Sequence, residues 1–438
     1  MPRLLIGNDF PEQMSTTTPS RQEGLVWWSL RILWYIRDDD VLLLPEHPDQ
    51  DCLDYVAALT RTEVASLRIV VPEGGFEALT SASITDTALL DWLDTALDGR
   101  EWTRILPLCP TKPVADLARA LGATSALPGI GFLEQNGGGL ANGKAAFRAL
   151  ASGTGVPVPD GVVCTTSAET TDAVTGMSVD GPVLLKKDFD QGCHGNTLVS
   201  RVPGTSEAGA SSAHVLSDGA AIAAFVDDWW AWLSDHGRHP IVIERYHPGS
   251  RAVFAEFDIA EEGVTLAADG ELVATPMPDG QVIPVPDLSL EELRILHEGG
   301  HELAKTLHAI GYRGPLSADA ILSDDGEVLF TENNARLTGS THIHDVVGRR
   351  VVGDTSDRIL VERQGWTSPS FGAAARTLRE ANLAYDPTTR SGVVLTMPHN
   401  PRSGMVSYTI ITPDRAAADR TERELQELSP TARQHVRN

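Results

Sequence analysis

The 438 residues carry a formal charge of −25, with 42% hydrophobic and 22% charged side chains. This is the balance of a water-soluble globular chain long enough for two or three cores, and its acidity excludes a general nucleic-acid surface and docking on anionic lipid. Only five of the 35 cations are lysines, at positions 112, 144, 186, 187 and 305, so the place of each lysine carries information.

In chain order, short apolar runs alternate with helical patterns over the first 125 or so residues. LLIG ends near Gly7. The Trp-rich stretch Gly24 to Ile36 reads as a buried helix, too short to span a bilayer and carrying Arg31 in its middle. VLLLP, a helix near residues 51 to 60, LRIVVP, a helix from Asp86 to Leu97, RILPL and a helix ending at Gly122 follow. Strand and helix alternating at this spacing predict a mainly parallel, doubly wound sheet. No G-x-G-x-x-G follows the first strand, so a dinucleotide site is not supported. The four cysteines, Cys52, Cys109, Cys164 and Cys193, form no C-x-x-C pair and follow no secretory leader, which points to a cytoplasmic location.

From Pro128 the texture changes. A Gly-rich bend, NGGGLANGK, leads into a helix from Ala145 to Ala151, and GVVC and PVLLKK read as strands. The loop DFDQGCHGN follows, and residues 203 to 219 are small and polar, hence a loop. A helix and the strand PIVIERYHPG come next. Ser289 and Glu292 form a capping-box pattern that opens a helix to about Ala309. After about residue 365 a separate tail holds two hairpin strands, GVVLTMP and GMVSYTIITP, and a charged helix from Asp414.

The chemistry concentrates between Leu316 and Arg336, two strands about Asp325-Gly326, a pair suited to a two-residue hairpin turn. Centring the turn there sets Asp319 directly opposite Glu332. Carboxylates so placed repel each other, and their apolar neighbours reduce screening. Strand period two puts Asn334 on the same face. Two carboxylates and an amide are hard oxygen ligands that suit Mg²⁺, whose shell is completed by water and phosphates. A solvated acidic hairpin is the competing reading, and a register shifted by one would remove the opposition. A phosphate-bound metal calls for cations and a backbone cradle. Lys144 begins a helix, Lys186 ends an apolar strand, and Gly192 and Gly195 allow backbone N–H groups close to phosphate. Surface lysines are the plainer reading of both. Glu244, at the end of VIE, can accept from an amine or hydroxyl, with Tyr246 a flat surface beside it.

These pieces, in this order, resemble the ATP-grasp superfamily of carboxylate-amine ligases over roughly residues 126 to 350. Asp319 followed by Glu332 within TENNAR resembles its metal-binding D…E-x-N pattern. PVLLKK with the glycine loop resembles its phosphate lysine and lid, NGK its other lysine, and IERYHPG its adenine hinge. With a sheet domain in front and an added tail, the chain looks most like the pheganomycin-type peptide ligases. The resemblance implies an α/β architecture in three parts: a doubly wound pre-ATP-grasp domain (1–125), an ATP-grasp domain of two α+β subdomains (126–364) and a small α+β C-terminal domain (365–438). Two departures stand out. Arg251 follows Gly249-Ser250 where D-alanine-type ligases carry a ribose-binding glutamate, and the lid is poorer in glycine than many.

The implied reaction joins a carboxylic acid to an amine through an acyl phosphate, using ATP and Mg²⁺ or Mn²⁺. Asp319, Glu332 and Asn334 would hold the metal and Lys144 and Lys186 the phosphates. Arg336 is the candidate catalytic residue, stabilising the transferring phosphoryl group and the later oxyanion. Ser340 and Thr341 would orient the acyl substrate. Cys193 reads as a small filler. Family resemblance points to an amino-acid-derived or guanidino acid joined to the N-terminus of a peptide, in antibiotic biosynthesis. The alternatives are a ligase making dipeptides, a non-catalytic ATP-binding module, and a zinc peptidase through HEGGH (His297 to His301), whose metzincin extension fails at Ala304 and Leu307. The Trp-rich residues 27 to 34 can pack a homodimer as well as a core.

Overall fold

The computed structural model describes residues 2–9, 19–79, 82–205, 208–274 and 277–428. Its first sheet is built from β1 (Arg3–Ile6), β2 (Val41–Leu43), β3 (Arg68–Val70) and β4 (Arg104–Pro107), all parallel in the order β3-β2-β1-β4. The crossovers carry α1 (Pro19–Ser29), which runs into a 3₁₀ turn at Leu30–Tyr35, then α2 (Gln50–Thr60) and α3 (Thr87–Leu97), and α4 (Lys112–Ala120) follows the last strand. Successive strand residues point to opposite faces. Leu4, Ile6, Val41 and Leu43 therefore enter one core with α3 and α4, while Leu5, Leu42 and Leu44 enter another with the 3₁₀ turn and α2. That double burial explains why these strands read as unbroken apolar runs. The Trp-rich segment packs within the chain: the indoles of Trp27 and Trp34 donate to the carbonyls of Pro398 and Thr396 at 3.0 and 2.8 Å.

Two short helices, α5 (Ile130–Glu134) and α6 (Gly137–Asn142), lead into α7 (Lys144–Thr154). The glycine run expected as a bend is thus helical. Its glycines serve close packing, since a Cβ on Gly138 would sit 2.3 Å from the Pro110 carbonyl oxygen.

The second sheet holds β5 (Gly161–Cys164), β6 (Val183–Lys187), β7 (Asn196–Ser200), β8 (Ser212–Val215) and β9 (Ile241–Arg245), in the order β5-β9-β6-β7-β8. β8 lies inside the segment expected to be only loop; residues 206 and 207 of that segment fall outside the described residues. α8 (Ser167–Met177) and α9 (Gly219–Leu233) cover one face, burying Val183, Leu185 and Ile243. Period two turns Leu184, Lys186 and Glu244 to the other face, and there they line a cleft. Lys187 points to the helix side, its ammonium 4.8 Å from the centre of the Trp232 ring.

The third sheet has eight strands. β10 (Arg251–Ile259), β11 (Val264–Ala274) and β12 (Pro278–Ile283) precede α10 (Leu290–Ala309), which opens on the expected Ser289–Glu292 capping box. β13 (Gly314–Leu322) and β14 (Val328–Asn334) follow, then a π-helical stretch at Ile343–Val352, β15 (Ile359–Thr367), α11 (Phe371–Glu380), β16 (Gly392–Leu395), β17 (Met405–Thr412) and α12 (Arg415–Leu428). The strand order is β14-β13-β10-β11-β12-β15-β17-β16. The tail expected as separate therefore extends this sheet, and Val393, Val394, Ile410 and Ile411 share a core with Leu5, Leu33 and Leu42. α10 and α7 cover one face of the β14 end through Phe257, Leu303, Ala318 and Phe330. The opposite face is left for the site.

Along that face Glu332 pairs Asp319, which pairs Phe254, which pairs Gly270. A Cβ on Gly270 would lie 2.3 Å from Phe254 Cζ, so the buried ring lies flat only because its neighbour has no side chain. Gly270→Ala is expected to cost about 1–3 kcal/mol by chemical denaturation; an unchanged midpoint would show that the ring can move aside.

Candidate active site

The predicted opposition of Asp319 and Glu332 occurs, by a different route. The turn has three residues, Asp324 to Gly326, with Gly326 at φ 82° and its N–H donating to the Ser323 carbonyl. Near the turn the pairs are Leu322 with Val328 and Ala320 with Phe330, one residue off the two-residue register. A β-bulge at Thr331 takes up the difference, so that Asp319 again faces Glu332. The bulge also turns Phe330 into the α10 core and exposes the Thr331 carbonyl, which accepts from the Lys186 ammonium at 3.4 Å.

Burial and the Glu332 carboxylate push Asp319 up to about 7. For Glu332, burial works upward too, but the Lys144 and Lys186 ammoniums outweigh it and hold the group below its ordinary range. Ser317 Oγ and Asn334 Nδ2 donate to Asp319 at 2.6 and 2.8 Å. This half-buried set of two like charges and an amide fits a hard divalent cation such as Mg²⁺. No group of three or more His, Cys, Asp or Glu side chains is gathered to hold a metal among the described residues, so water and phosphate oxygens would complete the shell. In HEGGH, His297 Nε2 lies 3.0 Å from Asp269, and His301 sits near the Phe257 ring.

Lys144, buried at the first turn of α7, reaches Glu332 Oε2 at 3.0 Å and the Asp190 carbonyl at 3.1 Å. Its ammonium is disfavoured by burial, yet Glu332 raises its pKa above the ordinary lysine value. The loop from residue 188 to 195 is tied to the same helix start, where Asp188 Oδ1 accepts the Ala145 N–H at 2.8 Å. Gly192, at φ 59°, lines a cavity, while Gly195 lies where a Cβ would come 2.7 Å from Asp190 Cβ. Cys193 is pushed up to about 12 by burial and stays a thiol.

Lys186 lies 2.5 Å from Glu244 Oε2, and Arg148 Nη1 lies 3.1 Å from Glu244 Oε1. Both Glu244 oxygens are thus engaged by cations, and the carboxylate positions Lys186. Tyr246 donates from its hydroxyl to the Ala208 carbonyl at 3.0 Å and lines the same cleft. Arg336 donates to Asn142 Oδ1 at 2.6 Å. Ser340 donates to Glu256, and the Thr341 hydroxyl accepts the Thr338 N–H at 2.8 Å. In this structure Ser340 and Thr341 hold in shape the turn that leads into the π-helical stretch.

Two cavities meet at the carboxylate pair. One, of about 370 Å³, lies between the two larger sheets and is walled by Leu184, Lys186, Tyr246, Val273 and Ile321. The other, of about 340 Å³, is walled by Arg31, Gln281, Arg336, Ser340 and Glu362. Asp319, Glu332, Cys193, Leu272 and Pro278 line both. The sequence reading missed Glu256, which is 1% exposed and accepts from His344, Thr338 and Ser340. It also missed Arg31 as a site residue; paired with Asp9 at 2.8 Å, Arg31 donates to the Leu337 carbonyl at 2.8 Å. The available signals were two carboxylates, Glu256 and Asp258, inside the apolar run AVFAEFDI, and a lone arginine inside the Trp-rich stretch.

Residues 29–123 match the model of the Pre ATP-grasp domain, and residues 373–425 that of the PGM1 C-terminal domain. Among solved structures the chain is similar to the N5-carboxyaminoimidazole ribonucleotide synthetase of Thermus thermophilus at 16% identity, covering 98% of this chain and 99% of that one, with a TM-score of 0.58. It is similar to the biotin carboxylase of Campylobacter jejuni, solved with β,γ-ATP, at 13% identity over 95% and 88%, TM-score 0.58. It is also similar to the L-amino acid ligase of Bacillus licheniformis at 14% identity over 97% of both chains, TM-score 0.54. A search of curated protein sequences finds no significant match. At such identities the likeness establishes the fold alone: an α/β chain built like these proteins, with a match to the Pre ATP-grasp domain model near one end and to the PGM1 C-terminal domain model near the other.

Proposed function

We propose that the chain is an ADP-forming carboxylate-amine ligase that makes an amide bond through an acyl phosphate. The observation that carries this reading is the Asp319–Glu332 pair at the meeting of two cavities, ringed by Lys144, Lys186 and Arg336. Its likeness to an L-amino acid ligase and to a synthetase supports the reaction class. The cleft between the sheets takes the nucleotide, with apolar walls for the base and Lys186 at the phosphate end. Asp319, Glu332 and Asn334 would hold Mg²⁺, which would neutralise phosphate oxygens. Lys144 and Lys186 sit on the phosphates, and Lys144 ties the loop 188–195 to Glu332, which keeps water out. Arg336 faces the second cavity, where it steadies charge on the transferring phosphoryl group and on the oxyanion that forms when the amine attacks.

The match to the PGM1 C-terminal domain model supports the finer reading of a pheganomycin-type peptide ligase, joining an amino-acid-derived or guanidino acid to a peptide N-terminus. A coupled assay for ADP tests both levels. ADP release is expected only with MgATP, an acid and an amine together; release indifferent to acid and amine ends the ligase reading. Single amino acids outcompeting every peptide as acceptor would leave the ligase and remove the peptide.

A further inference from the structure

Four strands from the carboxylate pair, on the same face of the eight-stranded sheet, lies a second acidic group with no place in that chemistry. Gln281 on β12 and Glu362 on β15 are directly paired, and Gln281 pairs Leu272 on β11, which continues the face of Phe254 and Asp319. Both line the substrate-side cavity, at 3% and 4% exposure. Gln281 Nε2 donates to Glu362 Oε2 and to the Gly339 carbonyl. That leaves Glu362 Oε1 and Gln281 Oε1, two buried acceptor oxygens, without a hydrogen-bond partner in the protein. Buried acceptors left unmade are costly. The adjacent cation, Arg363, does not relieve them: strand alternation turns it to the opposite face, where it pairs Glu422 at 3.1 Å. Burial accordingly pushes Glu362 up to about 7, a penalty that a cation in the cavity would offset.

We propose that Glu362 and Gln281 form a specificity site for a positively charged, N–H-donating group, ammonium or guanidinium, on a substrate of the ligase. The proposal rests on the ligase reading for which reaction it serves. At about 4.8 Å per strand the site is roughly 19 Å along the sheet from Asp319. The α-ammonium of an amino acid whose own carboxylate is being phosphorylated is too close to that carboxylate to reach it. The recognised cation therefore lies on a distal part of a substrate, such as a side chain of a peptide acceptor.

The test uses Ala-Ala-Arg, Ala-Ala-Lys and the neutral ureido analogue Ala-Ala-citrulline, with wild type, Glu362→Gln and Gln281→Met. Binding is read by calorimetry in the presence of MgATP, and kcat/KM by ADP release. Wild type is expected to prefer the better cationic peptide over citrulline by roughly thirty-fold, the smaller end of what losing one partner of a buried charge pair costs. Glu362→Gln should bring that ratio close to one, and Gln281→Met should reduce it, which keeps the question open to test if the first variant folds poorly. Arg above Lys would assign guanidinium, and the reverse ammonium. No cationic preference in wild type, or one retained in both variants, overturns the proposal. A wild type that binds with cationic preference but releases no ADP with any acid and amine would sink the ligase reading and keep the site.

Discussion

Glu332→Gln is expected to lower acid- and amine-dependent ADP release by on the order of 10³-fold, the scale set by losing a preorganised electrostatic contact to a transferring phosphoryl group. The glutamine keeps the shape and one oxygen of the side chain, so packing is not the variable. What changes is charge, in two directions. Asp319, whose carboxyl Glu332 helps push up to about 7, loses its repulsive neighbour, while Lys144 loses the partner 3.0 Å away that secures its charge in a buried position. The variant is therefore expected to fold, to bind Mg²⁺ weakly and to recover part of its rate as Mg²⁺ is raised. Steady-state ADP release across a Mg²⁺ titration checks this. A loss under tenfold at every Mg²⁺ concentration would remove the pair from the chemistry.

The Asp319–Glu332 opposition was legible because a hairpin is a local object: residues thirteen apart, one turn and a period of two are enough to set it. Even so, the three-residue turn and the Thr331 bulge are two offsets that cancel, and a count of residues sees only their sum. The parallel N-terminal sheet was legible for the same local reason, since apolar runs and helices alternate there without interruption. Glu256, Gln281 and Glu362 were not legible. Their partners lie more than 80 residues away in sequence, and nothing in AVFAEFDI or GQVIP says which strand lies alongside. Residues 251 to 283, which supply three adjoining strands of the large sheet, carry no motif and no distinctive period. Nor could composition show that β15, β16 and β17 extend the sheet holding Asp319, because that depends on β12 pairing with β15 across some 80 residues. Glu244 and Lys186 were found and the second cation on Glu244 missed: the strand ends were visible, but Arg148, on α7, was not.

Glu256→Gln is expected to destabilise the protein by about 1.5–3 kcal/mol, the scale of hydrogen bonds made to a buried charged acceptor. Glu256 is 1% exposed on β10 and stands beside the turn that carries Thr338 and Ser340 and the start of the π-helical stretch that carries His344. His344 Nε2 lies 2.8 Å from Oε2, and the Thr338 hydroxyl donates to Oε1 at 2.8 Å, with Ser340 on the same oxygen. Burial alone would raise the carboxyl; His344 and the two hydroxyls reverse that and hold it below its ordinary range. A depressed carboxyl contributes stability that is present above its unfolded-state pKa and lost as pH falls through the folded one, so the gap between wild type and variant should close in acid. Because Arg31 fastens the same turn through the Leu337 carbonyl, loosening Glu256 should also displace Arg336 and slow ADP release beyond what any loss of folded protein explains. Urea denaturation at neutral and acid pH, with kcat measured on the folded fraction, separates the two effects. A variant as stable as wild type at neutral pH would show that the turn is held by Arg31 and its own hydroxyls, and that Glu256 is a buried charge the turn does not need.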